Sequence, residues 1–377
     1  VKINTIEKQE GIMNGIPKEM AGVYLTGNGG FDKLEYRTDI QTPMPKAGEV
    51  LVKIGAAAVN NTDVNTRIGW YSKNVKSETN AGGASGFEEE VEEDGSWTGA
   101  AMQFPRIQGA DGCGTIVAVG EGVSEARLGE RVLIRTMQEL PSSDKGLECI
   151  TYGSECDGTF AEYAVALSDE AFVINSDLSD KELAIFPCSY STAENLVVRV
   201  GVNKDDVVLV TGASGGVGSA LVQLVKIRGA KVIAVCEPDQ EERVRGYGAD
   251  EIVYRGDSYI EKIGRMKVDV VLDMVAGNQW PELLEVLKKG GKYGVVGAIG
   301  GPMVELDVRT LYLKDLSLFG STYQTKEAFT NLIQYIEQGK IEPVIAKEFP
   351  LKDIVKAQEA FLEKKLIGKF VLNVSGE

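Results

Sequence analysis

The chain of 377 residues has no histidine. That excludes every Ser-His-Asp and Cys-His nucleophile and any catalytic zinc site that binds through imidazole. Protons must move through Tyr, Lys, Asp, Glu, Cys or water. No apolar run approaches the roughly 20 residues that cross a bilayer. Basic residues are outnumbered, and the formal net charge is −16, which argues against a nucleic-acid or anionic-membrane surface. Cysteine is scarce, odd in number and scattered: Cys113, Cys149, Cys156, Cys188 and Cys236. This fits a reducing, cytoplasmic compartment and no disulfide framework. Cys149 and Cys156 have no histidine or further cysteine beside them, too few ligands for structural zinc. Residues 1–20 are polar, without clear period, and read as a mobile arm and not a secretory signal.

What is present is ordinary for a globular chain, 43% hydrophobic and 25% charged, and long enough for two cores. The stretch that organises it is Val207-Val208-Leu209-Val210-Thr211-Gly212-Ala213-Ser214-Gly215-Gly216-Val217-Gly218. A β-branched run bounded by glycine predicts a buried strand. Leu221, Leu224 and Val225 then share one helix face, up to a stop at Gly229. Lys231 to Val235 predicts a second strand, and Glu237 stands just past its end. Glycines let the backbone approach a pyrophosphate, and the first helix amides and the dipole favour its charge. An acid about 20 residues past such a turn can accept hydrogen bonds from an adenosine ribose. The spacing is a variant of G-x-G-x-x-G, strengthened by lying between strand and helix.

Before this unit, short strands divided by Gly and Pro (Ala21 to Leu25, Val50 to Ile54, Ala56 to Val59, Thr115 to Val119, Arg131 to Ile134, Thr159 to Val165) predict a β-rich, barrel-like unit. Asn60 to Tyr71 reads as a capped short helix ending in two aromatics. Residues 72–100 carry the acidic run Glu88-Glu89-Glu90, Glu92-Glu93-Asp94, and read as a solvated loop or as a lid beginning at Tyr71. From Ser179 the period turns helical, with helices over Asp180 to Ala184 and Thr192 to Val200. Strands (Val268 to Asp273, Gly291 to Gly297, Leu316 to Gly320) then alternate with the helix Trp280 to Lys289, which predicts a parallel sheet covered on both faces. Helices over Lys326 to Gln338 and Leu351 to Lys364 follow. The last strand, Lys369 to Val374, is expected to return to the first domain.

Several segments together resemble the medium-chain dehydrogenase/reductase superfamily, specifically its zinc-free quinone oxidoreductase and enoyl reductase branch. They are Asn60-x-x-Asp63 with Arg67-x-Gly69-x-Tyr71, Arg106-Ile107-x-Gly109, Val117 to Gly120, Gly129-x-Arg131-Val132, Ala213-x-Gly215-Gly216-Val217-Gly218, Ala360-Phe361 and Gly368-Lys369. The resemblance runs from Met20 onward. It implies an α/β chain in which a GroES-like β-rich catalytic domain (21–178 and 325–377) joins a Rossmann doubly wound parallel-sheet domain (179–324). The positions that hold zinc in metal-bearing relatives look like Asn60, Ala110 and Cys188 here, and one ligand of three cannot hold catalytic zinc. No metal is expected.

The resemblance further implies NAD(P)H as cofactor. Gly212, Ala213, Ser214, Gly215, Gly216, Val217 and Gly218 would cradle it, Glu237 and Tyr254 would meet the adenosine end, and Thr192, Gly297, Ala298, Phe319, Gly320 and Ser321 would border the nicotinamide. Glu237 and Glu241 speak for NADH, while Arg243, Arg245 or Arg255 would suit a 2′-phosphate. Tyr71, Asn60, Asp63 and Arg67 are the expected catalytic group, with Tyr71 and Asn60 as donors to the substrate oxygen; Tyr71 has packing against the acidic loop as its other reading. Without metal or histidine, reduction of quinones or α,β-unsaturated carbonyls is easier than alcohol oxidation, because charge develops on a conjugated oxygen that hydrogen bonds can stabilise. The expected partner is thus a small electrophile. Alcohol dehydrogenation and a non-catalytic NAD(P)H-binding redox sensor are the alternatives. The strand Leu316 to Phe319 resembles one that pairs across a homodimer.

Overall fold

The computed structural model describes residues 15–87, 94–139 and 149–374. Most of the expected arm and the acidic run Glu88 to Glu93 lie outside these residues. Within the arm's expected span, Met20 is already buried in the strand Glu19–Leu25.

The organising stretch folds as its composition dictates. Val208, Leu209 and Val210 are fully buried in the strand Val207–Val210. This strand lies at the middle of a six-stranded sheet. Its order is Glu251–Tyr254, Lys231–Cys236, Val207–Val210, Val268–Asp273, Leu287–Val295, Ser317–Gly320. Every pairing is parallel, giving the 3-2-1-4-5-6 order of a doubly wound sheet. The order reverses between Val207–Val210 and Val268–Asp273, and doubly wound sheets bind ligands outside the carboxyl ends of the strands at such a point.

Two helices run differently from expectation. The helix Ser189–Val200 begins before Thr192, with Cys188 preceding it, so its first turn carries Ser189, Ser191 and Thr192 up to the domain boundary. The helix Trp280–Val286 ends early because Leu287 already enters the sheet. Phe329, Leu332, Ile333 and Ile336 of the helix Lys326–Glu337 join one hydrophobic cluster with Leu196, Val200, Leu221 and Leu224. That helix therefore packs with the parallel-sheet domain, which runs on past residue 324.

The β-rich domain is built on the eleven-residue strand Glu49–Val59. Asp111–Val119 pairs along one edge of it, and Tyr163–Leu167 and Lys369–Asn373 pair at opposite ends of its other edge. The expected return of the C-terminal strand is therefore observed, with Phe370 to Asn373 against Ala56 to Val59. Ile345–Pro350 closes the far side. This places Lys369 beside the boundary between the two domains.

Candidate active site

The helix Asn61–Ile68 follows directly from the central barrel strand. Asn60 is its N-cap, and the Asp63 carboxylate accepts the Asn60 amide at 2.7 Å. A polar helix of this kind belongs on a surface, yet Asp63 through Ile68 are all buried, because the following segment folds back over it. Trp97 stacks on Tyr71 with centroids 6.2 Å apart and planes at 8°, and the Lys73 amide donates to Asp94 at 2.9 Å. The described part of the insertion therefore stacks over Tyr71, which stays part-exposed.

At the N-terminus of this helix lies a buried polar centre. Asp111 is fully buried. Its Oδ1 accepts the Cys188 amide at 2.6 Å, and its Oδ2 accepts Asn60 Nδ2 at 2.7 Å. The ammonium of Lys369 stands 2.9 Å from Asp111 Oδ2 and donates to Asn60 Oδ1. One carboxylate thus ties together the barrel, the helix Ser189–Val200 and the C-terminal strand. Burial above all raises Asp63 to about 7, with Asp111 adding to the rise and Lys369 opposing it.

This geometry corrects two sequence expectations. Asn60 is not a free donor: its amide nitrogen serves Asp111 and the Ala58 carbonyl, at 2.7 and 3.3 Å, and its oxygen serves Lys369. Arg67 does not face the site. It is fully buried, donating to Gln358 at 2.9 Å, Gly29 O at 2.8 Å and Gly83 O at 2.6 Å, with its guanidinium 4.4 Å from the centre of the Phe31 ring. It fastens the insertion to the barrel. Burial lowers it to about 10, still charged at neutral pH.

Tyr71 and Thr62 form a hydroxyl pair, with Tyr71 donating to Thr62 Oγ1 at 3.0 Å. Burial pushes the phenol up to about 12, and the nearby Cys188 and Asp63 add to this. Tyr71 is therefore a protonated donor throughout the neutral range. While it donates to Thr62, the Thr62 proton remains for another acceptor.

On the other side of the boundary, Gly212 takes φ +56°, where glycine suits the backbone, and a Cβ at Gly218 would stand 2.1 Å from Gly212 O. Ala213 is buried beneath the turn, while Ser214, Gly215, Gly216 and Val217 reach its surface. The helix Gly216–Ile227 starts at this turn with Gly215 as N-cap, so its first amides lack intrahelical partners. A Cβ at Gly216 would meet the Lys369 stem at 2.9 Å, so the turn and the buried centre are neighbours. At the end of the second strand, Glu237 pairs with Arg255 at 3.2 Å. Glu241 takes Arg245 at 2.7 Å and the Tyr254 hydroxyl at 2.5 Å. Gly297 and Ala298 follow the strand Leu287–Val295, where Gly297 passes so close to Met274 that a Cβ would lie 3.0 Å from its carbonyl. Phe319 packs against the core, the Gly320 carbonyl accepts Arg199 at 2.7 Å, and the Ser321 hydroxyl is buried, accepting Asn195 at 2.9 Å. Thr192 is part-exposed at the domain boundary.

Lys369 and Asp111 escaped the sequence reading as site residues. For both a signal exists: a lysine and an aspartate, each opening a largely apolar strand.

Two family models match. An alcohol dehydrogenase GroES-like domain covers residues 46–176, and a zinc-binding dehydrogenase model covers 216–338. A solved protein of Sinorhizobium meliloti 1021, described provisionally as an alcohol dehydrogenase, is 40% identical over 97% of this chain and 100% of its own, with a TM-score of 0.86. Human quinone oxidoreductase is 28% identical over 94% of this chain and 98% of its length. Acryloyl-coenzyme A reductase of Metallosphaera sedula is 27% identical over 89% and 95%. The chain is thus a two-domain oxidoreductase of GroES-like and Rossmann parts. It belongs to the medium-chain dehydrogenase/reductase superfamily.

The residues present do not fit a catalytic zinc ion. Asn60 is held by Asp111 and Lys369, and Ala110 offers no side-chain donor. The Cys188 thiol is raised well above its ordinary value by burial and then by Asp111, whereas zinc binds thiolate. A cation here would also face the Lys369 ammonium. Among the described residues no three His, Cys, Asp or Glu side chains gather to hold a metal, and no helix is long and apolar enough to cross a membrane.

Proposed function

We propose that this chain is a metal-independent reductase of α,β-unsaturated carbonyl compounds or quinones, with NADH as its hydride donor. The carrying observation is the Lys369–Asp111–Asn60 centre, which fills with a buried ion pair the place where a Lewis acid would otherwise be ligated. The names of the quinone oxidoreductase and acryloyl-coenzyme A reductase relatives support the same substrate class.

A bound reduced nicotinamide supplies the hydride. The glycine turn and the free amides at Gly216 would hold its pyrophosphate. The Glu237 and Glu241 carboxylates favour a ribose diol and repel a 2′-phosphate, and the two nearest arginines, Arg245 and Arg255, are already paired with them. Thr62, whose proton Tyr71 leaves free, would donate to the oxygen on which charge gathers, with Tyr71 behind it as proton relay; such donation is the effect that dominates in preorganised sites. Trp97 would shield the ring face of Tyr71 on which it stacks.

A panel of enones, quinones and simple alcohols, run with NADH, NADPH and NAD⁺ before and after chelation, tests this reading. Turnover of enones or quinones with NADH, unaffected by chelation, is expected. Preferential alcohol oxidation that stops on chelation would overturn it.

We also propose a homodimer. Ser317–Gly320 ends the sheet, and Leu318, Leu313, Tyr312, Val308 and Met303 are exposed around it. Unpaired edges and apolar patches of this kind mark association surfaces. Sedimentation of Leu318→Asp should give a monomer; an unchanged mass, or a monomeric native chain, would exclude this edge.

A further inference from the structure

Asp273 ends the strand Val268–Asp273 and is fully buried. Its carboxylate accepts from every group that bonds it. Thr211 Oγ1 donates to Oδ1 at 2.5 Å, and the Tyr293 hydroxyl donates to Oδ2 at 2.6 Å. Burial, and then the Asp273 charge, push the Tyr293 phenol well up, so it keeps its proton. Two of the backbone amides that follow turn back on the same carboxylate. Val275 N–H reaches Oδ1 at 2.8 Å, and Ala276 N–H is shared between Oδ1 at 3.2 Å and Oδ2 at 3.1 Å. The Met274 amide goes to Thr211 Oγ1 at 3.1 Å. Three successive amides are thus gathered onto Asp273 and Thr211, as amides gather round an anion.

The turn held in this way is strained. Ala276 has φ +53° and ψ −130°, a region that residues other than glycine avoid. Such a conformation persists only where its surroundings impose it, and here the Asp273 oxygens fix the Ala276 amide. The turn 274–277 also lies between two glycine-rich segments. On one side, a Cβ at Gly212 would meet Val275 Cγ2 at 3.5 Å and Met274 Cε at 3.7 Å. On the other, the Met274 and Val275 carbonyls accept the Ile299 and Gly300 amides at 3.3 and 2.8 Å. A Cβ at Gly300 would stand 3.0 Å from Val275 O, and one at Gly277 2.6 Å from Gly300 O.

We infer that Asp273 is a positioning residue for the dinucleotide: it locks the turn 274–277 as a spacer between the glycine turn at Gly212 and the loop 297–300, so that both are set before the cofactor binds. This rests on the proposed nicotinamide function, in which the glycine turn holds the pyrophosphate. Setting the segments in advance removes an ordering cost from binding.

NADH fluorescence titration, run well below the melting temperature of each variant, tests this without turnover. Asp273→Ala takes the acceptor from two amides and two hydroxyls. The Ala276 strain is then unopposed, the turn relaxes, and NADH affinity is expected to fall about 10-fold or more. Adding Ala276→Gly should recover about 3-fold or more of that loss, because glycine holds a positive φ at no steric cost. A carboxylate that only stabilises the domain predicts no recovery, since the added glycine contributes no packing. Native affinity in Asp273→Ala would overturn the inference, and so would a double variant that binds no better than Asp273→Ala. If Asp273→Ala does not fold, Thr211→Val takes its place in the same cycle. It removes the hydroxyl between Asp273 and the Met274 amide and should lower affinity about 3-fold, with recovery on adding Ala276→Gly; no loss, or a loss without recovery, overturns the inference here as well. A native chain that binds neither NADH nor NADPH would overturn the proposed function itself.

Discussion

Replacing Lys369 by Met removes the one ammonium that faces Asp111. At 2.9 Å and an effective dielectric of about 20, the lost attraction is about 6 kcal/mol, set against the lysine's own desolvation. Removing one partner of a buried pair typically costs about 3–5 kcal/mol, because the other charge stays buried. For domains of this size that corresponds to a fall of roughly 10 °C in melting temperature. The loss should depend on pH in a particular sense. Burial holds the Asp63 carboxyl at about 7, above its ordinary 3.8. Its stabilisation is therefore complete below about 4 and is lost as pH rises through about 7, amounting to about 4 kcal/mol over that window. Lys369 pulls Asp63 down. Without it the folded value rises further, and the loss of stability continues above pH 7. Thermal melts of both proteins from pH 5 to pH 9 should show a gap that widens as pH increases. A cost below about 1 kcal/mol, or an equal gap at pH 6 and pH 9, would refute this account of the centre.

Glu237→Ser should shift kcat/KM toward NADPH by about tenfold or more, equivalent to about 1.4 kcal/mol; no shift would mean that the carboxylate does not face the ribose. Tyr71→Phe should lower kcat by about 10²-fold, the lower range for a positioned proton donor, with melting unchanged; full activity would assign Tyr71 to packing. The native rate should fall as pH rises through about 7, because ionised Asp63 places a second buried negative charge near the developing oxygen anion, and Asp63→Asn should remove that limb; a limb that persists belongs to another group. Arg67→Met should cost about 3 kcal/mol in stability, since it leaves two backbone carbonyls and Gln358 without their donor, while kcat of the folded fraction stays native; a selective loss of kcat would return Arg67 to the chemistry.

The fold was legible because its determinants are local. Val207 to Val210, the glycine turn and the apolar stripe of the next helix each specify their own structure, and strand–helix alternation specifies the sheet. The acid at Glu237 follows the second strand by the same logic. The site was legible only where one element carried it, as with the capping pair Asn60 and Asp63. Whether Asn60 points at substrate or inward depends on Asp111 and Lys369, which come from two other strands, and no spacing rule links them. Arg67 sits in a motif beside Tyr71, but its role is decided by Gly29, Gly83 and Gln358. Helix boundaries moved for a related reason: Leu287 has the composition to continue a helix, yet a place in the parallel sheet claims it.

Lys369–Asn373 is inserted between Glu49–Val59 and Ile345–Pro350. A nascent chain that has emerged only as far as Gly368 has its sheet parted along that line, with both flanking strands exposing unpaired amides, and two interior acids without a counter-ion. Pairing of Lys369 with Asp111 therefore waits on a strand translated after all its sheet neighbours.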